Sequence, residues 1–162
     1  MNREIKFRAQ FISSNKWLYG DLRHFQGNVL ICEYDGSGGE QVKPETVGQF
    51  TGLKDKNGKD IYDGDILRVK EYKNLLMEEF SEDANRFDLF TLEEIKGEKR
   101  AEYVSPIIWE EGGFNLSTNG EYLDMWICSL FGDMKRCSPV FEFEVIGNRF
   151  ENQELLPELL NK

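Results

Sequence analysis

Residues 47–67 read VGQFTGLKDKNGKDIYDGDIL. Two turn signals sit inside this run. Asn57-Gly58 tolerates positive φ and is the strongest short hairpin signal, so a hairpin is predicted around Asp55-Lys56-Asn57-Gly58. Gly64 lies between Asp63 and Asp65, directly ahead of Ile66, Leu67 and Val69. This spacing predicts a sharp corner into a new strand, with a carboxylate accepting the backbone N–H groups of the turn.

Outward from this run the pattern is that of short strands. Ile5, Phe7, Ala9 and Phe11 alternate with Lys6, Arg8 and Gln10, which is the period of a half-buried strand. Ser13-Ser14-Asn15 supplies a turn before Trp17-Leu18-Tyr19-Gly20, so residues 4–24 read as a hairpin. Val29 to Tyr34 forms a third strand, ended by Asp35-Gly36-Ser37-Gly38-Gly39. Tyr103-Val104, Ile107 to Trp109, Phe114 to Leu116 and Val140 to Ile146 continue the β pattern, while Tyr122 to Phe131 suits strand or helix. Residues 73–100 are charged and poor in β-branched residues. Thr91-x-x-Glu94 there forms a capping box, with Gly97 as a stop. The tail from Gln153 to Leu160 reads as a short helix interrupted by Pro157.

The expected fold is therefore mostly β, with an N-terminal β-hairpin region, a short helical excursion near 73–100 and a short C-terminal helix. The Asp63-Gly64-Asp65-Ile66 corner resembles the strand start of small SH3-like barrels, which implies a barrel-like, partly open β domain. The 162 residues suit one domain that buries roughly 70% of its unfolded surface. It subdivides into an N-terminal β region at 1–60 and a barrel-like β region at 61–150, with 73–100 as a variable acidic insertion.

Lys6-Phe7-Arg8-Ala9, Trp17-x-Tyr19-Gly20, the whole Val47–Ile66 run, Gly113-Phe114 and Val145-Ile146-Gly147-Asn148 with Glu151 to Leu156 together resemble the YopX family. These are small proteins of temperate phages and prophages. The resemblance covers most of the chain. It implies a mostly-β fold and a phage or prophage origin, and it brings no established activity and no catalytic residues.

The net charge is -10, so the chain repels phosphate backbones at long range. An acidic DNA mimic that occupies a DNA-binding protein is the alternative use of such a surface. Three cysteines, Cys32, Cys128 and Cys137, lack paired spacing and read as reduced thiols. The N-terminus carries no apolar signal region and no run is long enough to span a membrane, so a cytoplasmic location in a bacterial host is expected.

Asp55, Asn57, Asp60, Asp63 and Asp65 crowd one loop, yet Gly58 falls where a calcium loop needs its third ligand and no distal Glu follows. His24, the only histidine, has no ligand-spaced cysteines for zinc and no nucleophile beside it in sequence. No G-x-G-x-x-G or P-loop is present. No catalytic, metal or cofactor residue is predicted, and the chain is expected not to be an enzyme. Trp17, Tyr19, Phe50, Tyr62, Trp109, Phe114 and Trp126 read first as core, although aromatic residues on a sheet can also stack bases. One candidate interaction surface remains: Lys54, Lys56, Asn57 and Lys59 at the hairpin tip, with Tyr62 nearby. The expectation is a protein-interaction module with an unidentified protein partner and exposed strand edges that permit homo-oligomers. The alternative is a nucleic-acid-associated module acting through the lysines.

Overall fold

The computed structural model describes residues 4–33, 38–75, 91–110, 113–118, 121–124 and 140–156. These residues form eleven strands: β1 (Phe7–Gln10), β2 (Trp17–Phe25), β3 (Asn28–Cys32), β4 (Glu40–Gln41), β5 (Gly48–Lys54), β6 (Asp60–Tyr62), β7 (Asp65–Asn74), β8 (Lys96–Glu110), β9 (Gly113–Thr118), β10 (Glu121–Asp124) and β11 (Val140–Asn148). One short helix, α1 (Leu92–Ile95), precedes β8. The strands pair into a six-stranded sheet, β4-β3-β2-β1-β5-β6, and a five-stranded sheet, β10-β9-β8-β7-β11. The mostly-β expectation holds. The barrel detail does not emerge: among the described residues the strands make two open antiparallel sheets joined at a corner.

The corner is the Asp63-Gly64 link between β6 and β7. Gly64 has φ 83°, a left-handed conformation that a side chain disfavours. Its N–H donates to the Ile107 carbonyl and its carbonyl accepts from Arg149 N–H, both at 2.9 Å. Asp63 N–H donates to the Gln49 carbonyl at 2.9 Å, while Asp63 Oδ1 accepts from Trp109 N–H at 3.2 Å. Asp65 Oδ2 caps the turn by accepting Tyr62 N–H at 2.8 Å. The two-residue link is thus bonded to β5, to β8 and to the chain just past β11.

Burial on β1 departs from its alternation. The apolar side packs as expected: Ala9, Leu18, Ile31 and Val42 form a small core flanked by Phe7, Phe11, Leu22, Val29 and Val47. Ile5 lies outside it, 62% exposed. The polar side is also covered, leaving Arg8 and Gln10 only 5% exposed. The covering elements are the corner and the C-terminal turn. Arg8 Nη2 pairs with Asp65 Oδ1 at 2.7 Å and donates to the Asp63 carbonyl at 3.4 Å. Its guanidinium lies 4.7 Å from the Trp17 ring and 5.0 Å from the Tyr62 ring. Glu151 Oε1 accepts both Gln10 Nε2 at 3.1 Å and Trp17 Nε1 at 3.2 Å.

The larger core contains Leu53, Ile61, Leu67, Val69, Ile107, Phe114, Leu116, Phe141 and Phe143. Leu53 and Ile61 belong to the first sheet, so β5 and β6 reach across to complete the core of the second. An irregularity between Phe50 and Lys54 makes this possible. There Thr51 Oγ1 accepts Leu53 N–H at 3.1 Å and donates to the Ile61 carbonyl at 2.9 Å. Phe50 and Leu53 are thereby both buried.

Several local expectations are corrected. β8 is one fifteen-residue strand, where the sequence pattern gave two pieces. It pairs with β7 up to Pro106 and with β9 from Ile107 onward. Pro106 has no N–H to give, so the change of partner falls where a ladder bond is missing anyway. The excursion near 73–100 shrinks at both ends, since β7 runs to Asn74 and β8 begins at Lys96. Residues 76–90 lie outside the described ones. The capping box is present: Glu94 N–H donates to Thr91 Oγ1 at 3.4 Å and Thr91 N–H to Glu94 Oε2 at 2.6 Å. Gly97 lies in β8 and stops no helix; a Cβ there would come within 2.9 Å of Leu75 Cδ2. The C-terminal helix is a single 3-10 turn, Gln153–Leu155, followed by Leu156 in an extended conformation, as steric contact with a following proline favours. Residues 157–162, Trp126, Cys128 and Cys137 lie outside the described residues.

Breaking the Arg8–Asp65 pair from either side leaves the other charge buried alone. Arg8→Met and Asp65→Asn are each expected to lower the unfolding free energy by about 3–5 kcal/mol. The double variant should lose less than the sum of the two. Urea titration of the four proteins checks both values.

Candidate interaction surface

Of the residues singled out in the signature, Lys56, Asn57 and Lys59 lie on a five-residue loop, 55–59, flanked by Lys54, the last residue of β5, and its cross-strand partner Asp60, while Tyr62 ends β6. Within the loop only Gly58 has positive φ, at 81°. The Asn-Gly pair therefore does not form a two-residue hairpin turn, because Asp55 organises the loop instead. Asp55 is 6% exposed. Its Oδ1 accepts Asn57 N–H at 2.8 Å and Lys59 N–H at 2.9 Å, and its Oδ2 accepts Val145 N–H at 3.2 Å. Its backbone N–H donates to the Lys59 carbonyl and its carbonyl accepts Gly58 N–H. Lys56 N–H donates to the Phe143 carbonyl at 2.9 Å. The loop is thus seated on the outer edge of β11, and Asp55 fastens it there.

With the backbone fixed, Lys54, Lys56, Asn57 and Lys59 are exposed while Tyr62 is buried, 4% exposed. The expected surface residues therefore come together on one loop, except that Tyr62 forms a wall beneath them. Lys54 pairs with Asp60. Lys56 pairs with Glu144 at 3.1 Å. Among the described residues the Lys59 ammonium has no carboxylate within ion-pair distance.

A cleft lies on each side of this loop. One, of about 340 Å³, is lined by Glu4, Lys6, Arg8, Tyr19, Lys59, Asp60 and Tyr62. Hairpin register sets Arg8 opposite Tyr19, and Phe50 opposite Tyr62, so these side chains share a face. The Tyr19 and Tyr62 rings meet edge to face at 5.7 Å, yet Tyr19 remains 48% exposed. Lys6 Nζ lies 2.7 Å from Asp60 and 3.2 Å from Glu4, and 4.4 Å from the centroid of the Phe50 ring. Burial pulls the Lys6 ammonium down, but Asp60 and Glu4 outweigh it and hold it above its ordinary value. Burial pushes the Tyr62 phenol up to about 12, so it is a neutral hydroxyl at pH 7.

The second cleft, of about 330 Å³, is lined by Lys54, Asp55, Lys56, Glu93, Lys96, Phe141, Glu142 and Phe143. Lys96 bridges Glu93 at 2.6 Å and Glu142 at 2.9 Å. Lys70 reaches Glu142 at 3.6 Å, and Arg68 reaches Glu144 at 2.9 Å. These cross-strand pairs neutralise one another along the outer face of β7 and β11.

The crowded aspartates diverge in use. Asp55 takes backbone amides, Asp60 takes Lys6 and Lys54, Asp63 takes Trp109 N–H, and Asp65 takes Arg8 and Tyr62 N–H. Among the described residues no group of three or more His, Cys, Asp or Glu could hold a metal ion. His24 is exposed on β2 and pairs in register with Val29. Cys32 is a free, half-buried thiol. No helix among the described residues is long and apolar enough to cross a membrane.

Sequence reasoning left Lys6, Arg8 and Tyr19 out of the candidate surface. Their signal was available, because a register that sets Arg8 against Tyr19 follows from a tight hairpin at residues 11–16.

The aspartates carry opposite pH signs. Burial raises Asp55, but backbone N–H bonds from Lys59, Val145 and Asn57 outweigh it and leave its carboxyl below the ordinary range. Asp55 therefore contributes stability above the unfolded carboxylate pKa near 3.8, and that contribution is lost as pH falls through the lower folded value. Burial holds Asp63 and Asp65 above the ordinary range, against the pull of Arg149 and Arg8 respectively. Their contribution is full below the unfolded pKa and declines as pH rises through the folded value. Asp55→Asn isolates the first effect. At neutral pH it should cost about 2–3 kcal/mol through unsatisfied amides. The difference from wild type should shrink below about pH 4, as unfolding curves across pH would show.

The comparison with protein families agrees with the sequence resemblance. No curated protein matches the chain. The sequence model of the family described as YopX protein matches residues 6–157. That span takes in β1 and the signature corner, which meet at the Arg8–Asp65 pair, and the chain belongs to the YopX family.

Proposed function

We propose that this protein is a non-enzymatic interaction module, an accessory protein of phage or prophage origin that works in the bacterial cytoplasm by binding a protein partner. The observation that carries this reading is the loop at 55–59. Its backbone is locked by the Asp55 carboxylate, and it presents Lys54, Lys56, Asn57 and Lys59 outward. A recognition loop held in one shape loses little entropy on binding. Lys54 and Lys56 are paired with Asp60 and Glu144, so Lys59 supplies the local positive charge, which steers an acidic patch on a partner toward this edge. The aspartates of the signature are engaged in holding the corner and the loop, which supports a contact role for the motif over a chemical one.

The variant Lys54→Gln/Lys56→Gln/Lys59→Glu tests this. Exposed ion pairs are worth about 0–1 kcal/mol each, so the variant should fold with nearly unchanged stability. It should also lose the proteins that the wild-type chain captures reproducibly from a host lysate. Equal capture by both chains, or loss of folding in the variant, would contradict the reading.

A further inference from the structure

The cleft on the β1 side of the loop has a feature the contact reading does not use. Its walls combine an uncovered aromatic ring with a cation that, among the described residues, has no carboxylate within ion-pair distance. Tyr19 is 48% exposed, although it is braced by Tyr62 at 5.7 Å. The Lys59 ammonium lines the same space, and its backbone is fixed by Asp55. Behind them Arg8 is 5% exposed, and its Nε is buried without a hydrogen-bond partner among the described residues. Lys6 is paired with Glu4 and Asp60, and Arg8 with Asp65, so among the described residues Lys59 is the lining cation left to meet an anion, on a chain of net charge -10.

We infer that this cleft is a binding site for a single planar anion of nucleotide size, with its ring against Tyr19 and its phosphate at Lys59. The volume of about 340 Å³ lies at the small end of the range for ligand pockets. Aromatic stacking accepts any base, because every base has a π face. The overall negative charge acts against a long polyanion and favours one carrying few phosphates. Such a ligand could be a free mononucleotide or the phosphorylated end of a single strand, since both offer the same ring and phosphate. The inference rests on the loop being a contact surface, but it fails separately from that reading.

The test is an NMR titration of the full chain with a nucleoside 5′-monophosphate, the matching nucleoside, inorganic phosphate, and a short single-stranded oligonucleotide bearing a 5′-phosphate. Shifts at Tyr19 and Lys59 that saturate with the monophosphate, and are weaker with nucleoside or phosphate alone, support the site. Tyr19→Ala and Lys59→Glu should each weaken binding by about tenfold or more, while Lys99→Gln, on the far sheet, should leave it unchanged. Tighter binding of the phosphorylated oligonucleotide assigns the strand end as the source, and tighter binding of the monophosphate assigns the free nucleotide. Absence of saturation at millimolar monophosphate would overturn the inference. So would binding that both variants retain, or displacement-free binding of an acidic peptide alone. Any of these could occur while partner capture through the loop persists.

Discussion

The structure depends on one buried ion pair, Arg8 with Asp65, 2.7 Å apart and 6% and 1% exposed at their side chains. Removing two charges from water is costly, and their mutual attraction recovers that cost only when the geometry and remaining hydrogen bonds are good. Here Arg8 lies over the Trp17 and Tyr62 rings, and Asp65 Oδ2 accepts the Tyr62 amide. Among the described residues, however, Arg8 Nε has no hydrogen-bond partner, and burial outweighs the pull of Arg8 on the Asp65 carboxyl. The pair therefore acts more through direction than through strength. A charged pair at this point is more directional than an apolar contact. It requires β1, β2, the β6–β7 corner and the start of β7 to arrive in one arrangement.

The same place gathers motifs that are far apart in the chain. Arg8 comes from β1 and Lys6 from just before it, Trp17 and Tyr19 from β2, Asp63 to Asp65 from the corner, and Phe150 and Glu151 from the C-terminal turn. The Phe150 and Trp17 rings meet at a tilt with centroids 5.9 Å apart, and Glu151 binds both Trp17 and Gln10. Asn148 holds that turn by accepting Phe150 and Glu151 N–H at 3.0 Å. The residues that identify the family are therefore largely those that join its two sheets. The binding surface proposed above is the outer side of the same junction.

Much of this was legible in sequence. Alternation located β1 and β11, and Glu142 and Glu144 do face away from Phe141 and Phe143. The Asp-Gly-Asp run predicted a capped corner, and Thr91-x-x-Glu94 predicted its capping box. Other features were hidden for a physical reason: they depend on contacts between distant segments. Alternation cannot reveal that the polar side of β1 is covered, because that covering comes from residues 62–65 and 150–151. Asn57-Gly58 signalled a hairpin, but the shape of the loop was set by Asp55 bonding to Val145, ninety positions away. Tyr103-Val104 and Ile107 to Trp109 read as two pieces, yet β8 runs through both, because its pairing passes from β7 on one side to β9 on the other at Pro106.

If the signature is a structural junction, its hydrogen bonds break only when the molecule unfolds. Native-state hydrogen exchange at the amides of Tyr62, Gly64, Trp109 and Arg149 tests it most directly. Each donates into the junction: to Asp65, Ile107, Asp63 and Gly64, respectively. The account predicts that these four exchange as slowly as the amide of Val69 in the core of β7, through global unfolding alone. Fast exchange at the four amides through a low-cost local opening, with Val69 still protected, would contradict it.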